Sequence, residues 1–374
     1  MQQLICHQTG ESYPLDSPIW RSESGGILDI EFDGAFDPME ILTRPPGLWR
    51  YHEALPISNP EDRITLGEVL TPIVRLVDGK HTIETKLDYL FPSGSYKDRG
   101  ATLLMSQARA LGIESVVQDS SGNAGAAIAT YAAVAGIECE IFVPDSTSPA
   151  KLDQMRACGA TLTLVPGSRE DTANAAFLAA KDRYYASHVW NPFFLQGTKT
   201  FAFEIAEQRG WILPDTLVLP AGNGTLLLGA WIGFVELKQM GIVNKIPKLI
   251  GVQAANCAPL VEAWRRSSAE PISIATSSTV AEGIAIAEPR RGAQMILAVK
   301  QSGGHMIEVE EEEIIDSLRW LCARGLFVEP TSAAVMAGAR QYVSTAPADE
   351  EVLTVLTGHG LKAASKIQSL VSKK

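Results

Sequence analysis

The 374-residue sequence contains no apolar run long enough to cross a bilayer. The longest run, Leu226 to Val235, ends at Glu236 and is far shorter than the roughly 20 residues that a membrane helix needs. The first residues, Met1 to Leu4, lack the basic region and apolar core of a signal peptide. We therefore expect a cytoplasmic protein without a membrane partner.

Cysteine is scarce, and basic residues are outnumbered. No Cys-x-x-Cys pair occurs among the five cysteines, which predicts the reduced thiols of a cytoplasmic protein. The 43 acidic residues exceed the 32 Lys and Arg, and the net charge of -11 argues against a nucleic-acid partner. Internal repeats and low-complexity linkers are also lacking, so the length predicts about two compact domains.

What the sequence does contain is an alternation of short strands and helices. Short strands rich in β-branched residues that alternate with helices predict an α/β fold, with parallel or mixed sheets flanked by helices. The strands are predicted at 73–76, 85–90, 115–118, 138–143, 161–165, 216–219, 249–253 and 352–356. The main helices are predicted at 99–111, 149–158, 170–187, 197–209, 289–301, 311–323 and 331–342.

A lysine follows a turn-prone segment in Pro92 to Gly100 (PSGSYKDRG), which we call the lysine loop. The turn residues place Lys97 at the mouth of the helix predicted from Arg99, where backbone N–H groups have no helical acceptor. A partly desolvated lysine loses its proton more readily, and a neutral amine attacks an aldehyde to form a Schiff base. The alternative interpretation is an exposed lysine at a helix start, paired with Asp98.

Other polar motifs stand where a predicted strand ends and a helix begins, which is where open α/β sheets bind ligands. One is the glycine loop, Gly222-Asn223-Gly224-Thr225, whose N–H groups suit a phosphate. It lacks the spacing of nucleoside-triphosphate and dinucleotide sites, and an ordinary glycine turn is the alternative. The serine–asparagine loop, Ser120-Ser121-Gly122-Asn123, adds an amide side chain, and Thr357 adds a neutral hydroxyl.

These motifs together match the needs of one cofactor. An aldehyde-bearing, phosphorylated, aromatic cofactor requires a lysine, a phosphate cradle and polar contacts to its ring. Pyridoxal 5'-phosphate has all of these features, so it is the predicted cofactor.

The lysine loop resembles the cofactor-lysine motif of threonine synthases. The segments SSGNAG (120–125), GNGT (222–225), EPTSAA (329–334) and TGHGLK (357–362) resemble the other motifs of that family, in its order. The resemblance covers the chain from Trp49 onward and implies the tryptophan-synthase-β-like fold. It also implies a step of threonine biosynthesis, in which O-phosphohomoserine and water give threonine and phosphate.

The resemblance implies a role for each motif. Lys97 bonds to the cofactor aldehyde and shuttles protons, and Asn123 bonds to the ring hydroxyl. The glycine loop holds the phosphate, and Thr357 faces the ring nitrogen. A hydroxyl cannot hold a pyridinium charge as a carboxylate would, which suits elimination and replacement at the β or γ carbon better than transamination.

The chain departs from the family pattern at the N-terminus. Many threonine synthases carry a Cys-x-x-Cys zinc ribbon there, whereas this chain keeps Cys6 and has Thr9, Arg21 and Ser24 at the other ligand positions. One thiol is too few for a structural zinc site, so no metal is expected.

A second departure lies in the segment 191–200. Phe194 stands where the family pattern has an arginine that helps to hold the substrate phosphate. Without that arginine, the charge must be met by Lys199, by Ser120 and Ser121, or by N–H groups near Asn123.

We expect residues 1–48 to form a degenerate, ribbon-like appendage. A large cofactor-binding domain is predicted from 49–98 and 190–374, and a small domain from 99–189. The expected partners are a small amino-acid substrate and a second copy of the chain, in a homodimer. Two alternatives remain open: a related lyase or β-replacement enzyme, of the threonine dehydratase or cysteate synthase type, and a pyridoxal-phosphate-binding protein without turnover.

Overall fold

The computed structural model describes residues 2–147 and 149–372. Its strands are β1 (Gln3–Ile5), β2 (Ser12–Pro14), β3 (Asp29–Glu31), β4 (Ile73–Asp78), β5 (His81–Lys86), β6 (Ser115–Gln118), β7 (Glu138–Pro144), β8 (Thr161–Val165), β9 (Tyr184–Tyr185), β10 (Thr216–Pro220), β11 (Lys248–Ala254), β12 (His305–Val309) and β13 (Val352–Val355).

Its α-helices are α1 (Pro38–Ile41), α2 (Lys97–Ala110), α3 (Asn123–Ala135), α4 (Pro149–Ala157), α5 (Arg169–Ala179), α6 (Pro192–Thr198), α7 (Thr200–Gln208), α8 (Thr225–Gln239), α9 (Pro259–Arg265), α10 (Gly292–Gln301), α11 (Glu311–Cys322), α12 (Pro330–Val343) and α13 (Ala364–Ser372). Short 3-10 helices lie at Leu48–Ala54, Pro60–Asp62, Asp88–Leu90, Ala255–Cys257, Glu282–Ile284 and Gly360–Ala363. No described helix is both long and apolar enough to span a membrane.

The chain divides into two compact units. The first contains the residues up to Leu70 together with Phe91–Thr200, and the second contains Thr71–Leu90 together with the residues from Phe201 onward. The division predicted from the sequence, with boundaries at residues 48, 98 and 189, stays a prediction.

The first unit contains a parallel sheet in the order β8-β7-β6-β9 and a small antiparallel sheet in the order β2-β1-β3. Leu4, Cys6 and Leu28 of the small sheet region share one hydrophobic core with the apolar faces of α2 and α3. The N-terminal segment therefore packs into the core of the first unit.

The second unit is built on a mixed sheet in the order β12-β11-β10-β13-β5-β4. All neighbouring strands run parallel except β4, which pairs antiparallel with β5. Because β10 and β13 are adjacent and parallel, the segments that follow Pro220 and Val355 leave the same edge of the sheet. This edge is where ligands of open α/β sheets bind.

A buried charge network ties the β4–β5 hairpin to α7. Lys86 Nζ donates to Glu204 Oε1 (2.8 Å), to Gln208 Oε1 (2.7 Å) and to the carbonyl oxygen of Thr71 (3.0 Å). The hydroxyl of Thr71 donates to Asp88 Oδ1 at 2.6 Å. Since a buried charge is costly without partners, these bonds hold the hairpin in one position against the helix.

The predicted α/β class is confirmed, and one helix was predicted too long. The segment 170–187 was expected to be a single helix, but α5 ends at Ala179 and Tyr184–Tyr185 form β9. Tyr184 and Tyr185 pair with Val116 and Val117 of β6. Aromatic residues fit a half-buried strand well, and the free edge of β6 supplied a partner that sequence periodicity does not show.

Candidate active site

The lysine loop places Lys97 at the first residue of α2, two residues before the predicted helix start. Gly94 has φ +81°, a conformation that glycine adopts without strain. Lys97 is half-buried, and its Nζ lies 4.7 Å from the ring centroid of Tyr96 and 5.6 Å from that of Phe194. Two aromatic rings therefore flank the amine and attract its charged form.

Asp98 holds the backbone of the lysine loop. Its fully buried carboxylate accepts the N–H of Ser93 at 2.7 Å and also the hydroxyl of Ser93. Gln154 Nε2 donates to the carbonyl oxygen of Ser93 at 3.0 Å. Because both peptide groups of Ser93 are held, the path of the chain into Lys97 is held too.

A buried phenol connects Asp98 to a second carboxylate. The hydroxyl of Tyr131 donates to Glu68 Oε1 at 2.7 Å and lies 3.4 Å from Asp98 Oδ2. Burial, with the nearby charges of Asp98 and Glu68, raises the pKa of Tyr131 well above its ordinary value. The phenol therefore stays protonated and acts as a donor between two carboxylates.

Helices α2 and α6 approach so closely that only glycine fits at two positions. A Cβ added at Gly197 would lie 2.1 Å from the carbonyl oxygen of Arg99, and one added at Gly100 would lie 2.3 Å from the ring of Phe194. Phe194, at the position where an arginine was expected, is thus fully buried over Gly100 and beside Lys97. The ring occupies this space without supplying a charge.

His188 is a residue near Lys97 that the sequence analysis missed. It is buried, and its ring centroid lies 6.0 Å from that of Phe194. Burial, with the positive charges of Lys97 and Arg169, lowers its pKa well below the ordinary value. The imidazole is therefore neutral near pH 7. No motif in the sequence marks it, because Lys97, whose charge acts on it, is distant along the chain.

The serine–asparagine loop connects β6 to α3. Asn123 is the first residue of α3, and Ser120, Ser121 and Asn123 are all half-buried. The loop turns back tightly on the helix, since a Cβ added at Gly125 would lie 1.9 Å from the carbonyl oxygen of Ser120. The loop therefore presents two hydroxyls and one amide at the carboxyl end of a parallel strand, as the sequence predicted.

Lys199 follows α6 and is fully buried. Its Nζ donates to Gln196 Oε1 at 2.6 Å and lies 5.6 Å from the ring centroid of Phe32, just after β3. These contacts place its charge against the N-terminal segment within the first unit. Its role in substrate binding stays a prediction.

The glycine loop of the second unit joins β10, which is buried along its whole length, to α8. Gly224 has φ +86°, and a Cβ there would lie 2.8 Å from Met295 Sδ. A Cβ at Gly222 would lie 3.1 Å from Ile284 Cα. These small residues allow a tight turn into α8. The first N–H groups of α8 have no acceptor within the helix and lie at this loop, where they favour an anion.

Thr357 follows β13 and is buried, and Ser332 near the start of α12 determines its hydrogen bonding. Ser332 Oγ accepts the N–H groups of Thr357 (2.8 Å) and Gly358 (3.2 Å) and lies 3.2 Å from Thr357 Oγ1. Since both acceptor positions of Ser332 are used, its proton goes to Thr357 Oγ1. The hydroxyl of Thr357 is then left to donate its own proton to a further acceptor.

Ser332 was not predicted as a functional residue, although it lies within the EPTSAA motif at 329–334. Its partner Thr357 is 25 residues away along the chain. The available signal was two hydroxyl residues in neighbouring motifs, but only the structure shows that they meet.

In the N-terminal segment, Glu11 organises the positions that resemble zinc ligands. Its carboxylate accepts hydrogen bonds from the hydroxyls of Thr9 (2.5 Å) and Tyr13 (2.9 Å) and from both the N–H (3.2 Å) and the hydroxyl of Ser24. Cys6 is fully buried beside this turn. The described residues contain no group of three or more His, Cys, Asp or Glu that could hold a metal ion, and the absence of zinc stays a prediction.

Glu11→Gln is expected to loosen this segment at neutral pH. The hydroxyls of Ser24 and Thr9 hold the pKa of Glu11 at about 2, below its ordinary value of 4.5. A carboxylate with a lowered pKa in the folded state stabilises above its ordinary pKa, and this effect is lost as the pH falls towards 2. Hydrogen exchange in residues 6–26 should therefore be faster in the variant at pH 7, with the difference shrinking between about pH 5 and about pH 2. The exposed Glu23→Gln is the control; equal exchange in Glu11→Gln and wild type at pH 7 would contradict the expectation.

Comparison with known proteins is consistent with these arrangements. The family model described as pyridoxal-phosphate dependent enzyme matches residues 64–358. The threonine synthase of Methanocaldococcus jannaschii is 34% identical over 372 residues, covering 96% of this chain and 92% of that protein. The threonine synthase of Mycobacterium tuberculosis strain H37Rv is 35% identical over 323 residues, covering 83% of this chain and 87% of that protein.

Solved structures show the same fold. Threonine deaminase isoform 2 from Solanum lycopersicum superposes with a TM-score of 0.69 at 20% identity, covering 92% of this chain and 91% of that chain. Maize serine racemase superposes with a TM-score of 0.68 at 19% identity, covering 80% of this chain and 91% of that chain. At these identities the likeness concerns the fold alone, and it confirms the predicted fold class.

Proposed function

Because this chain belongs to the family of pyridoxal-phosphate-dependent enzymes, we propose that it is a threonine synthase, which converts O-phosphohomoserine and water to threonine and phosphate. The observation that carries the proposal is its near-full-length similarity to threonine synthases of archaea and bacteria.

The residues present suit pyridoxal phosphate. The glycine loop turns so tightly that a Cβ at Gly224 would clash with Met295, and it ends at a helix N-terminus that favours a phosphate. Lys97 is an amine flanked by aromatic rings, and Asn123 supplies an amide at the start of α3. We assign the aldehyde to Lys97, the ring hydroxyl to Asn123 and the phosphate to Gly222–Thr225.

Thr357 is the residue we assign to the ring nitrogen. Its hydroxyl has a proton to donate because Ser332 supplies the bond that it accepts. A donor at this position suits an unprotonated nitrogen, which accepts a hydrogen bond. The neutral pair of hydroxyls therefore supports elimination and replacement rather than transamination.

The cofactor, Lys97 and Asp98 have separate roles in the proposed reaction. When bound, pyridoxal phosphate withdraws electrons from the substrate Cα and acidifies its proton. Lys97 Nζ accepts that proton and returns one to the product. Asp98 keeps the lysine loop, and with it the amine, in one position through Ser93.

Thr357→Asp is expected to lower threonine formation at least about tenfold and to raise transamination products, because a carboxylate stabilises a protonated ring nitrogen. Product analysis and the absorption spectrum of the bound cofactor measure this change. Thr357→Ser keeps the hydroxyl and is the matched control, which should stay near wild type. A Thr357→Asp variant with unchanged products and spectrum would show that Thr357 is not the partner of the ring nitrogen.

The function itself is tested by a small substrate panel. Purified enzyme should release phosphate from O-phosphohomoserine and form threonine in equal amount. Free threonine, free serine and O-phosphoserine are the comparison substrates. Cofactor binding without turnover of any of them would leave only the alternative of a binding protein.

One observation favours a second candidate, a lyase or β-replacement enzyme of the threonine dehydratase or cysteate synthase type. Phe194 places an uncharged ring beside Lys97 where an arginine was expected. If Lys199, Ser120 and Ser121 bind the substrate phosphate instead, Lys199→Ala should impair use of O-phosphohomoserine far more than cofactor binding. Deamination of free threonine or serine, without phosphate release from O-phosphohomoserine, would instead establish the second candidate.

We also propose that the enzyme works in the cytoplasm as a homodimer with a small amino-acid substrate. The absence of Cys-x-x-Cys pairs supports the compartment. Sedimentation of the purified chain measures the oligomeric state, and a monomer would refute the dimer.

A further inference from the structure

We propose that Lys366, on the C-terminal helix α13, is a positioning residue for the cofactor's phosphate cradle. It acts through the segment Thr279–Ala285, which we call the Glu282 loop. The proposal rests on the assignment of the glycine loop as that cradle, which the experiment below tests separately.

The Glu282 loop lies directly against the glycine loop. A Cβ added at Gly222 would lie 3.1 Å from Ile284 Cα and 3.2 Å from the carbonyl oxygen of Gly283. Ala281 and Ile284 are buried, so the loop is packed into the second unit on its inner side. Because the contact is between backbones, a shift of the Glu282 loop changes the space in which the glycine loop is held.

Lys366 bonds to this loop at two points. Its Nζ donates to the carbonyl oxygen of Val280 at 3.0 Å and to Glu282 Oε1 at 2.7 Å. Glu311 Oε2 accepts the N–H of Val280 at 2.8 Å, so a cation and an anion hold the two sides of one residue's backbone. Thr331 Oγ1 accepts the N–H of Gly283 at 3.1 Å. Side chains from three helices thus determine the path of the loop.

The helix that carries Lys366 is itself anchored. Ile367 is buried in the hydrophobic core of the second unit, and Arg319 of α11 donates to the carbonyl oxygen of Leu370 at 3.2 Å. These contacts keep α13 in place, so that it can hold the Glu282 loop. Lys366 therefore links the C-terminal helix to the phosphate cradle.

The charge of Lys366, like its hydrogen bonds, supports the phosphate cradle. The Glu282 loop brings a carboxylate into the segment that packs on an anion-binding turn, and Lys366 compensates that negative charge. The side chains of Lys366 and Glu282 are 33% and 54% exposed, so the compensation is partly screened by solvent. Loss of Lys366 would both release the carbonyl of Val280 and leave Glu282 without this cation.

The test measures the affinity of the apoenzyme for pyridoxal phosphate, by absorbance titration at constant ionic strength, together with hydrogen exchange in residues 279–285. Lys366→Met should weaken binding about tenfold and speed exchange, since it removes one charged pair and one charge-assisted hydrogen bond. Lys366→Arg keeps a cationic donor and should stay within about threefold of wild type. Gln368→Ala, an exposed change on the same helix, is the matched control and should leave both measurements unchanged.

The electrostatic contribution of the Lys366–Glu282 pair is tested with a double variant. In a Glu282→Gln background, Lys366→Met should weaken binding by clearly less than tenfold, because the negative charge that Lys366 compensates has already been removed. An undiminished effect there would overturn the electrostatic part of the proposal. If Lys366→Met does not fold, Lys366→Gln replaces it with the same expected result.

Different results would contradict the role of Lys366 and the assignment of the glycine loop as the phosphate cradle. Gly224→Ala adds a Cβ that would clash with Met295 and should weaken cofactor binding whether or not Lys366 matters. If Gly224→Ala binds pyridoxal phosphate like wild type, the cradle assignment is wrong. If Gly224→Ala weakens binding but Lys366→Met changes neither affinity nor exchange, Lys366 is not a positioning residue.

Discussion

Lys97→Ala is expected to reduce turnover at least about a thousandfold, because we assign to Lys97 both the bond to the cofactor aldehyde and the transfer of the substrate proton. In the wild type, borohydride should fix the cofactor on the peptide that contains Lys97, where the rings of Tyr96 and Phe194 flank the amine. In the variant that labelled peptide should be absent. Peptide mapping after reduction and steady-state kinetics measure the two effects.

Lys300→Ala is the matched control, since this lysine is exposed on α10. It should keep both the labelled peptide and the activity of the wild type. Labelling of Lys199 or Lys362 in the wild type would contradict the assignment of Lys97. Retention of substantial turnover by Lys97→Ala would contradict its role as the proton carrier.

Gly125→Ala is expected to lower the free energy of unfolding by about 3 kcal/mol, at the upper end of overpacking effects. The added Cβ would lie 1.9 Å from the carbonyl oxygen of Ser120, a backbone atom that cannot rotate away. Either the serine–asparagine loop or the start of α3 must move, and Asn123 would move with it. Denaturant unfolding measures the stability loss, and cofactor titration should show weaker binding in the same variant.

Gly122→Ala is the matched control for stability in the same loop. Its φ is -109°, and an added Cβ would meet no heavy atom closer than Ser120 Oγ at 3.9 Å. The change should therefore alter the free energy of unfolding by less than about 1 kcal/mol. Equal stability losses in the two variants would show that the close approach at Gly125 does not determine the path of the loop.

Much of the fold could be predicted because its strands are short, apolar and bounded by turn residues. The predicted strands at 115–118 and 161–165 agree with β6 and β8 at both ends. Pairing with a neighbouring strand was the part that periodicity could not reveal. The short strand β9 exists because the edge of β6 is available, and β12 was missed although it pairs with β11 along its whole length.

The candidate site was predictable where chemistry depends on residue type within one motif. Lys97, Asn123, the glycine loop and Thr357 each stand at a strand end or helix start, and a strand followed by polar and glycine residues is a local signal. Ser332, His188 and Lys366 carried no such signal. Each is affected by a residue distant in the sequence, namely Thr357 for Ser332, Lys97 for His188 and the Glu282 loop for Lys366.

The sequence by itself determined the α/β class, the cofactor and the residue expected to bond to it, because these depend on local propensity and on the chemistry of single side chains. Only the tertiary structure decided how those side chains are held. Gln154 holds the carbonyl oxygen of Ser93, Ser332 directs the proton of Thr357, and Lys366 holds the Glu282 loop. Hydrogen bonds act over about 3 Å, so their partners are chosen by the packing of helices and strands rather than by neighbours along the chain.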